Sequence, residues 1–343
     1  MRPPIRVLVV DDSAFARKVV REVLSGSAEI EVVGIARDGI DALEKILELS
    51  PDVVTLDLVM PNLDGLGVMR ALEAAPTRPA VVIVSMADED SELGVTALQL
   101  GAFDIVRKPT ALATDQLYEL GGELRAKVIA AATRGASPAA PSVGPIRAPR
   151  RASPATTRIV VVGASTGGPQ ALTYILRSLP AEFPVPIAIV LHMPEGYTDA
   201  FARRVDADSA LEVMEARDGL ELMPGRAVIA RAGAHLVLHP EGEGWVSRLE
   251  MSPTTTPHRP AVDVLFSSAA KHVGAATLGV VLTGMGSDGL VGSQAIRAAG
   301  GRILTEAESS CVVYGMPRAV FDAGASSAVA PLDAMVALIM ESL

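Results

Sequence analysis

Cysteine is almost absent from this sequence, because Cys311 is the only one among 343 residues. A lone cysteine rules out an intrachain disulfide framework and fits a reducing cytosol. Basic charge is also scarce: the formal net charge is −10, which argues against a nucleic-acid binder with its basic face. Membrane-length apolar runs and an N-terminal signal-peptide core are missing as well. We therefore expect a soluble, cytoplasmic protein that binds no nucleic acid and inserts into no membrane.

Acidic and aromatic residues are missing from one stretch, 134–157, which is rich in Ala, Pro, Ser and Arg. Such a stretch cannot bury enough apolar surface to become ordered, so its composition predicts a flexible linker. About 24 flexible residues span roughly 25–30 Å, enough to let two domains dock or separate. The chain length also favours two domains, and we predict them at 1–133 and 158–343.

Strand-like and helix-like segments alternate along the first predicted domain. Apolar, mostly β-branched runs predict five strands at Val7–Val10, Ile30–Ile35, Val53–Leu56, Val81–Val84 and Asp104–Val106. Amphipathic stretches predict five helices at Ala14–Leu24, Gly39–Leu49, Leu66–Ala74, Ser91–Leu100 and Thr114–Ala132. Five βα repeats imply a doubly wound α/β fold, whose functional site lies at the carboxyl ends of the strands.

Polar residues stand at the carboxyl ends of four of these strands. Asp11 and Asp12 follow the first strand, Asp57 follows the third, Ser85 closes the fourth and Lys108 follows the fifth. Three carboxylates brought together attract a hard cation such as Mg²⁺. One of them can then attack a phosphoryl group, while the cation and the lysine offset its charge. Capping and turn roles explain any one of these residues, but hardly all five at successive strand ends.

This set of residues resembles the receiver domain of two-component response regulators, which has a flavodoxin-like fold. The loop motifs Met60-Pro61 and Asp64-Gly65 match as well. The resemblance implies that Asp57 is the phospho-acceptor and that Ser85 and Lys108 contact the phosphoryl oxygens. It also implies that Mg²⁺ is bound by Asp12, Asp57 and the Val59 backbone carbonyl, with Asp11 behind these ligands. Ile105 departs from the pattern, because many receivers carry an aromatic rotamer switch three positions before the lysine.

The second predicted domain begins with a buried strand that runs into a glycine-rich turn, Gly163-Ala-Ser165-Thr-Gly167-Gly168, followed by a helix-like segment from Gln170 to Leu179. A serine on such a turn is held exposed beside free backbone N–H groups that can stabilise an oxyanion. The pattern therefore favours an acyl-transfer nucleophile at Ser165. A phosphate-cradling turn is the alternative that the spacing alone leaves open, although no Lys follows as a P-loop requires.

Two further residues complete a possible catalytic set with Ser165. His192 follows the predicted buried strand Ile187–Leu191, and Asp288 follows the predicted buried strand Leu278–Leu282. All three residues stand just past the carboxyl end of a strand, so their side chains can converge at one sheet edge. Imidazole can accept the serine proton, and a carboxylate can orient the ring. The remaining four histidines do not follow a buried strand: His235 and His239 flank a strand, His258 lies in a Thr/Pro loop and His272 lies on a helix.

Other hydrolase classes fit less well. The order Ser…His…Asp differs from the Ser…Asp…His order of α/β-hydrolases, so we do not expect that fold despite the Gly-x-Ser-x-Gly match. A zinc hydrolase has little support, because His-Glu-x-x-His is absent and Cys311 has no metal-ligand spacing to a histidine. We expect no cofactor in this domain.

Taken together, the two domains resemble the CheB family of chemotaxis protein-glutamate methylesterases. The matching motifs are Gly163–Pro169, His192–Pro194, Asp218-Gly219 with Pro224-Gly225, His258–Pro260 with Val262–Phe266, Leu282–Gly286 with Asp288-Gly289, and Ser310–Pro317. The resemblance implies a receiver followed by a doubly wound α/β methylesterase domain with a mostly parallel sheet. It implies a phosphorylation-activated serine hydrolase that demethylates glutamate methyl esters and deamidates particular glutamines on chemoreceptors.

The resemblance also assigns roles and partners. Ser165 is the nucleophile, His192 the proton relay and Asp288 the group that fixes the imidazole tautomer, and we take the backbone N–H groups at Thr166 and Met285 as oxyanion candidates. The implied partners are methyl-accepting chemoreceptors and, as phosphodonor, the histidine kinase CheA. Two segments depart from the family pattern: Glu306-Ala307-Glu308 stands for Gln-Asp-Glu, and Ala230-Arg231-Ala232-Gly233 stands for Ala-Pro-Gly.

Two alternatives stay open at the level of sequence. The same esterase chemistry can serve a target outside chemotaxis, because the residues show the reaction and not the partner. A phosphorylation-dependent binding module with a silent catalytic domain is the other alternative, although an intact Ser-His-Asp set argues against it.

Overall fold

A computed structural model describes residues 3–73, 75, 78–86, 91–108, 114–134 and 156–343, with the backbone alone for 114–120. The chain divides into two compact units, Met1–Pro138 and Ala139–Leu343. Most of the predicted linker, residues 135–155, lies outside the described residues, so its character stays a prediction. None of the helices in the described ranges combines the length and apolar character that crossing a bilayer requires.

The first unit is a five-stranded parallel sheet with an alternating helix after each strand. Its strands are β1 (Ile5–Val10), β2 (Ile30–Ala36), β3 (Val53–Leu56), β4 (Ala80–Ser85) and β5 (Asp104–Arg107), and its helices are α1 (Ala14–Ser25), α2 (Gly39–Leu49), α3 (Gly65–Glu73), α4 (Ser91–Gln99) and α5 (Thr114–Arg134). The strand order is β2-β1-β3-β4-β5, the flavodoxin-like arrangement. All ten predicted elements are confirmed, with ends that differ by at most two residues.

Local chemistry explains where these elements begin. Ser13 caps α1, since its hydroxyl accepts the Ala16 N–H at 3.3 Å. Asp38 caps α2 in the same way, accepting the Asp41 N–H at 2.9 Å. Strand β3 is buried along its whole length, as expected for the middle of a parallel sheet covered on both faces. The two caps fix where α1 and α2 begin, and Ser13 does so directly after Asp11 and Asp12.

The second unit contains a seven-stranded parallel sheet and a separate three-stranded antiparallel sheet. Its strands are β6 (Ile159–Ala164), β7 (Ile187–Leu191), β8 (Glu212–Glu215), β9 (Glu221–Leu222), β10 (Arg226–Ile229), β11 (His235–Glu241), β12 (Gly244–Glu250), β13 (Thr277–Val281), β14 (Arg302–Glu306) and β15 (Ala328–Ala330). Its α-helices are α6 (Gly168–Ser178), α7 (Thr198–Asp208), α8 (Val262–His272), α9 (Leu290–Ala298), α10 (Met316–Asp322) and α11 (Leu332–Glu341). The orders are β15-β14-β13-β6-β7-β10-β8 and β11-β12-β9.

The chain changes direction across the large sheet at β6. From β6 it moves outward through β7 to β10 and β8, and it later returns to β13 on the other side of β6. Open α/β sheets bind ligands at the carboxyl ends of the strands beside such a reversal. The turns after β6, β7 and β13 therefore meet where a site is expected.

In the core of this unit, α8 packs against strands of both sheets and against the neighbouring helix α9. Leu265 and Phe266 of α8 are fully buried against residues of β6, β11 and β13. The two ends of the described segment 156–343 also meet, because the Thr157 hydroxyl donates to the Ser342 carbonyl at 2.7 Å. The three-stranded sheet was not expected from the sequence. It places His235 at the first position of β11 and His239 within the strand, which corrects our prediction that they flank a strand.

Candidate functional site

In the first unit, two carboxylates and a lysine meet at the carboxyl edge of the sheet. Asp11 follows β1 and Asp57 follows the neighbouring strand β3, so both reach the same edge. Lys108 follows β5 and places its Nζ 2.7 Å from Asp11 Oδ2 and 2.6 Å from Asp57 Oδ2. All three side chains are largely buried, so each negative charge needs the lysine as its partner.

The pKa values in this cluster show opposing forces. Burial raises the pKa of Asp57 to about 6, although the charge and hydrogen bond of Lys108 pull it down. Burial alone would lower the pKa of Lys108, but the charges of Asp57 and Asp11 outweigh it and raise that pKa. The lysine is therefore a firmly held cation, whereas Asp57 takes up a proton more readily than an ordinary aspartate.

Asp12 joins Asp11 and Asp57 in a group that could hold a metal ion, with ligand oxygens within 4.8 Å of one another. Asp12 is exposed and opens the group to solvent. Carboxylate oxygens are ligands that Mg²⁺ prefers, so the donor set fits this cation. Val59, the predicted carbonyl ligand, lies in the loop two residues after Asp57. Ser85 is fully buried at the end of β4, and its carbonyl accepts the Lys108 N–H at 2.9 Å.

The raised pKa of Asp57 predicts a pH-dependent stability of the first unit without metal. Its pKa is about 6 in the folded state against an ordinary value of 3.8, so the folded state binds the proton more tightly than the unfolded chain. The stabilisation from this proton is full below about pH 4 and is lost as the pH rises through about 6. In EDTA, the free energy of unfolding of fragment Met1–Pro138 should fall over that window by on the order of 2 kcal/mol.

Urea unfolding followed by circular dichroism at several pH values measures this slope. Asp57→Asn is the matched control, since it keeps the size of the side chain and cannot titrate. A wild-type curve as flat as that of Asp57→Asn between pH 4 and 6 would contradict the prediction.

In the second unit, Ser165 lies on a sharp turn between β6 and α6. Its N–H donates to the Thr283 carbonyl at 3.0 Å, and its own carbonyl accepts the Gly168 N–H at 2.6 Å. Gly167 has a φ of +79°, a left-handed conformation that favours glycine. The turn presents the half-buried Ser165 beside the N-terminus of α6, in the strand–turn–helix setting expected of a nucleophile.

His192 lies at the neighbouring strand end and is bonded to Asp288. The last residues of β6 and β7, Ala164 and Leu191, are paired, so Ser165 and His192 follow the ends of adjacent strands. The His192 N–H donates to the Ala164 carbonyl at 3.0 Å. Its ring Nε2 lies 2.8 Å from Asp288 Oδ2. Its Nδ1 is buried and has no hydrogen-bond partner within the described part of the chain.

The bond to Asp288 determines which ring nitrogen can act as a base. Burial alone would raise the pKa of Asp288, but the hydrogen bonds from His192 and from the Asp263 and Val262 N–H groups lower it, so the carboxylate is ionised and accepts the Nε2–H. The lone pair then resides on Nδ1. Over 156–343, no hydrogen bond joins Ser165 to His192. The structure thus joins two members of the predicted set directly and brings Ser165 to the adjacent strand end.

The predicted oxyanion donors lie in the turns after β6 and β13. The Thr283 hydroxyl donates to the Thr166 carbonyl at 2.9 Å, which ties the two turns together. Thr166 is buried and Met285 is half-buried. Within the described ranges the Met285 N–H donates no hydrogen bond, so it is available to a developing oxyanion.

Gly284 lies directly against the nucleophile turn. A Cβ at this position would lie 2.8 Å from the Ser165 Cβ and would also overlap the Met316 sulfur. We therefore expect Gly284→Ala to displace Ser165 and to lower kcat by about tenfold or more, with a smaller change in KM. Ester hydrolysis by the purified chain measures both constants. Gly244→Ala is the control, because a Cβ there meets only one atom, at 3.9 Å; equal kcat values for the two variants would contradict the prediction.

Sequence reasoning missed residues that surround the predicted set. The exposed His258 stacks on His192 with ring centroids 4.1 Å apart and planes at 29°. The buried Glu306 accepts the Thr283 N–H at 2.8 Å, and burial raises its pKa. The only signals in the sequence were the motifs that contain His258 and Thr283 and the departure at Glu306. None of these signals specifies a contact, because the partners are distant in the chain.

Comparisons with known proteins agree with this organisation. The family model described as CheB methylesterase matches residues 160–339, and the response regulator receiver domain model matches residues 7–119. A Myxococcus xanthus protein named protein-glutamate methylesterase/protein-glutamine glutaminase 5 is 61% identical over 98% of this chain and 97% of its own. A Symbiobacterium thermophilum protein of the same name without the number is 43% identical over 97% and 95%.

A solved structure covers the second unit. The crystal structure of the Thermotoga maritima CheB methylesterase catalytic domain is similar over 55% of this chain and 100% of its own, with 39% identity and a TM-score of 0.54. The parallel-sheet architecture predicted for this unit is confirmed by this likeness and by the strand pairing.

Proposed function

Because this chain belongs to the CheB methylesterase family and carries a response regulator receiver domain, we propose that it is a phosphorylation-activated protein-glutamate methylesterase and protein-glutamine glutaminase. Its substrates are methylated glutamates and particular glutamines on chemoreceptors, and its activity contributes to sensory adaptation. The cytoplasm is the proposed location, since a single cysteine is typical of a reducing compartment.

Ser165 attacks the carbonyl carbon of the methyl ester or side-chain amide. His192 Nδ1 accepts the hydroxyl proton while the Ser165 Oγ–carbon bond forms, and Asp288 stabilises the imidazolium through Nε2. The N–H groups of Thr166 and Met285 are the proposed donors to the oxyanion. His192 then gives its proton to the departing methoxide or amide, which leaves as methanol or ammonia. Water hydrolyses the acyl-serine through the same base and releases a glutamate side chain and free Ser165.

One observation carries this assignment most strongly. The Nε2 of His192 is bonded to Asp288 at 2.8 Å, while its buried Nδ1 has no partner in the described ranges. A structural histidine of the core would pair both nitrogens, whereas a general base needs one nitrogen fixed and the other available. The adjacent strand end carries Ser165, the residue whose proton such a base would take.

The receiver domain is the proposed input. Asp57 Oδ attacks the phosphoryl group of a histidine kinase of the CheA type, and the phosphorus–nitrogen bond of the kinase phosphohistidine breaks as the acyl phosphate forms. Asp12, Asp57 and the Val59 carbonyl would hold Mg²⁺, with Asp11 behind them, and this ion supplies charge neutralisation for the transfer. Lys108 and Ser85 are the proposed contacts of the phosphoryl oxygens.

Release of methanol from methylated receptor by the purified full chain tests the proposal. We expect release that rises when a small phosphodonor and Mg²⁺ are added. Hydrolysis of a simple ester such as p-nitrophenyl acetate without any release from receptor would point to a target outside chemotaxis. No hydrolysis of either substrate would leave a phosphorylation-dependent binding module and would overturn the enzyme assignment.

A further inference from the structure

Two helices of the catalytic unit begin side by side next to Asp288. Asp288 immediately precedes Gly289, the cap of α9, and Asp263 is the second residue of α8. Asp288 accepts backbone N–H groups from the start of α8, at 2.7 Å from Val262 and 2.8 Å from Asp263. Asp263 in turn accepts a backbone N–H from the first turn of α9, at 2.8 Å from Gly292. Asp288 therefore caps α8, on which Asp263 lies, and Asp263 caps α9, which follows Asp288 in the chain.

The contact between these helices leaves little freedom. A Cβ on Gly292 would lie 3.0 Å from the Asp263 carbonyl oxygen and 3.2 Å from its Cα. Free N–H groups at a helix start need acceptors, and each of these starts obtains one from the opposite helix. Loss of one acceptor therefore affects both helix starts.

The pairing also brings two carboxylates close together. Burial raises the pKa of Asp263, and the charge of Asp288 adds to that increase, while the Gly292 N–H opposes it. Two neighbouring acids are electrostatically unfavourable, and a serine or asparagine would cap α9 without this cost. An unfavourable pair of carboxylates is expected to have a function that offsets its cost. The nearest functional group is the His192–Asp288 pair.

We propose that Asp263 is a positioning residue for the hydrolytic reaction: by fixing the start of α9 and bonding Asp288, it sets the direction of the His192 ring. Asp263 makes two of the three contacts in this route: its carboxylate accepts the Gly292 N–H, and its own N–H donates to Asp288 Oδ1. The third contact joins Asp288 Oδ2 to His192 Nε2. Asp263 itself touches neither substrate nor His192 in this route. The inference rests on the proposed function, since it concerns how the base is aimed at Ser165.

When the Asp263 acceptor is removed, the Gly292 N–H loses its partner and the turn that carries Asp288 loosens. The Asp288 carboxylate can then rotate, and Nδ1 of His192 no longer holds one direction. Small misplacements of a reacting group cost up to about a hundredfold in rate. Substrate binding, by contrast, does not depend on this turn, so kcat falls and KM stays.

The test uses the full chain with methylated receptor and, separately, p-nitrophenyl acetate. We expect Asp263→Ala to lower kcat by about ten- to hundredfold with KM within about twofold. Asp263→Asn should recover most of the loss, because its amide oxygen can still accept the Gly292 N–H. Asp333→Ala is the matched control: Asp333 is also the second residue of its helix, α11, and is exposed. It should leave kcat unchanged.

A double-variant comparison separates positioning from a general loss of structure. In an Asp288→Ala background, Asp263→Ala should cost less than about twofold, since its route to His192 is already cut. The low-field proton resonance of the His192 Nε2–H should be present in wild type and Asp263→Asn and should broaden in Asp263→Ala. This resonance does not depend on turnover, so it reports on Asp263 even if receptor proves not to be the substrate.

An Asp263→Ala variant with wild-type kcat, or one whose loss persists in full in the Asp288→Ala background, would overturn the proposal. If Asp263→Ala does not fold, Asp263→Glu takes its place, because the longer side chain moves the carboxylate away from the Gly292 N–H. Asp263→Glu must then show the same fall in kcat at constant KM and the same broadening of the His192 Nε2–H resonance. A sharp resonance together with a wild-type kcat in this variant would refute the inference.

Discussion

Replacing Ser165 by Ala should lower the turnover of the full chain by about 10⁴–10⁶-fold, because the covalent route to the acyl-serine is then lost. The effect is large because Ser165 is the first residue after β6, and the end of β6 is paired with the end of β7 that precedes His192. The residual turnover of Ser165→Ala would come from substrate binding and from the proposed oxyanion donors, the Thr166 and Met285 N–H groups. Methanol release from methylated receptor, measured with and without phosphodonor, gives the value.

The neighbours of Ser165 sharpen this prediction. His192→Ala should cost about as much as Ser165→Ala, and Asp288→Asn somewhat less, because the imidazole can still accept a proton when its orientation is poor. The double variant of Ser165 and His192 should be little worse than Ser165→Ala alone, since groups that act as a unit are not additive. Ser178→Ala, at the other end of α6, should be as active as wild type. Turnover above a tenth of wild type in Ser165→Ala would remove Ser165 from its role.

Replacing Asp57 by Asn should abolish labelling of the chain by a small phosphodonor with Mg²⁺. Asp57 is the carboxylate at the end of β3 that faces Asp11 and Lys108, and an amide in its place is not a nucleophile toward phosphorus. The label on wild type should be stable in acid and labile in base, as an acyl phosphate is. The increase in methanol release that follows phosphodonor should disappear in the same variant.

Strand β3 offers a matched control for this experiment. Asp52 lies just before β3, where its carboxylate accepts the Arg6 N–H at 2.8 Å, whereas Asp57 follows the other end of the strand. Asp52→Asn should therefore keep the label and the activity response. Labelling that persists in Asp57→Asn would move the phospho-acceptor to another residue.

The position of the candidate sites could be predicted from sequence because parallel strands share a carboxyl edge. Once runs such as Val53–Leu56 and Ile187–Leu191 were assigned to strands, the polar residue after each run had to lie at that edge. The strands are short and buried, so their period and composition leave few alternatives. This reasoning placed Asp57 and Lys108 on one edge and Ser165, His192 and Asp288 on another.

Contacts between loops were beyond such reasoning. Strand order in the seven-stranded sheet depends on crossovers whose direction no local pattern records. The antiparallel sheet takes its strands from two separate connections: β9 lies between β8 and β10 in the chain, and β11 and β12 lie between β10 and β13. The stacking of His258 on His192 and the bond from Glu306 to Thr283 join residues that are far apart in the chain. Which ring nitrogen of His192 faces Asp288 is also a product of packing, and no motif predicts it.

The bond between Thr157 and Ser342 holds together the two ends of the described segment 156–343. Thr157 precedes β6, so this seam lies at the amino edge of the large sheet, whereas Ser165 follows β6 at the opposite edge. Domains with adjoining ends tolerate new connections there, including circular permutation. We therefore expect that a different domain can be joined at this seam with little effect on the hydrolytic chemistry, because Ser165 lies a full strand length away.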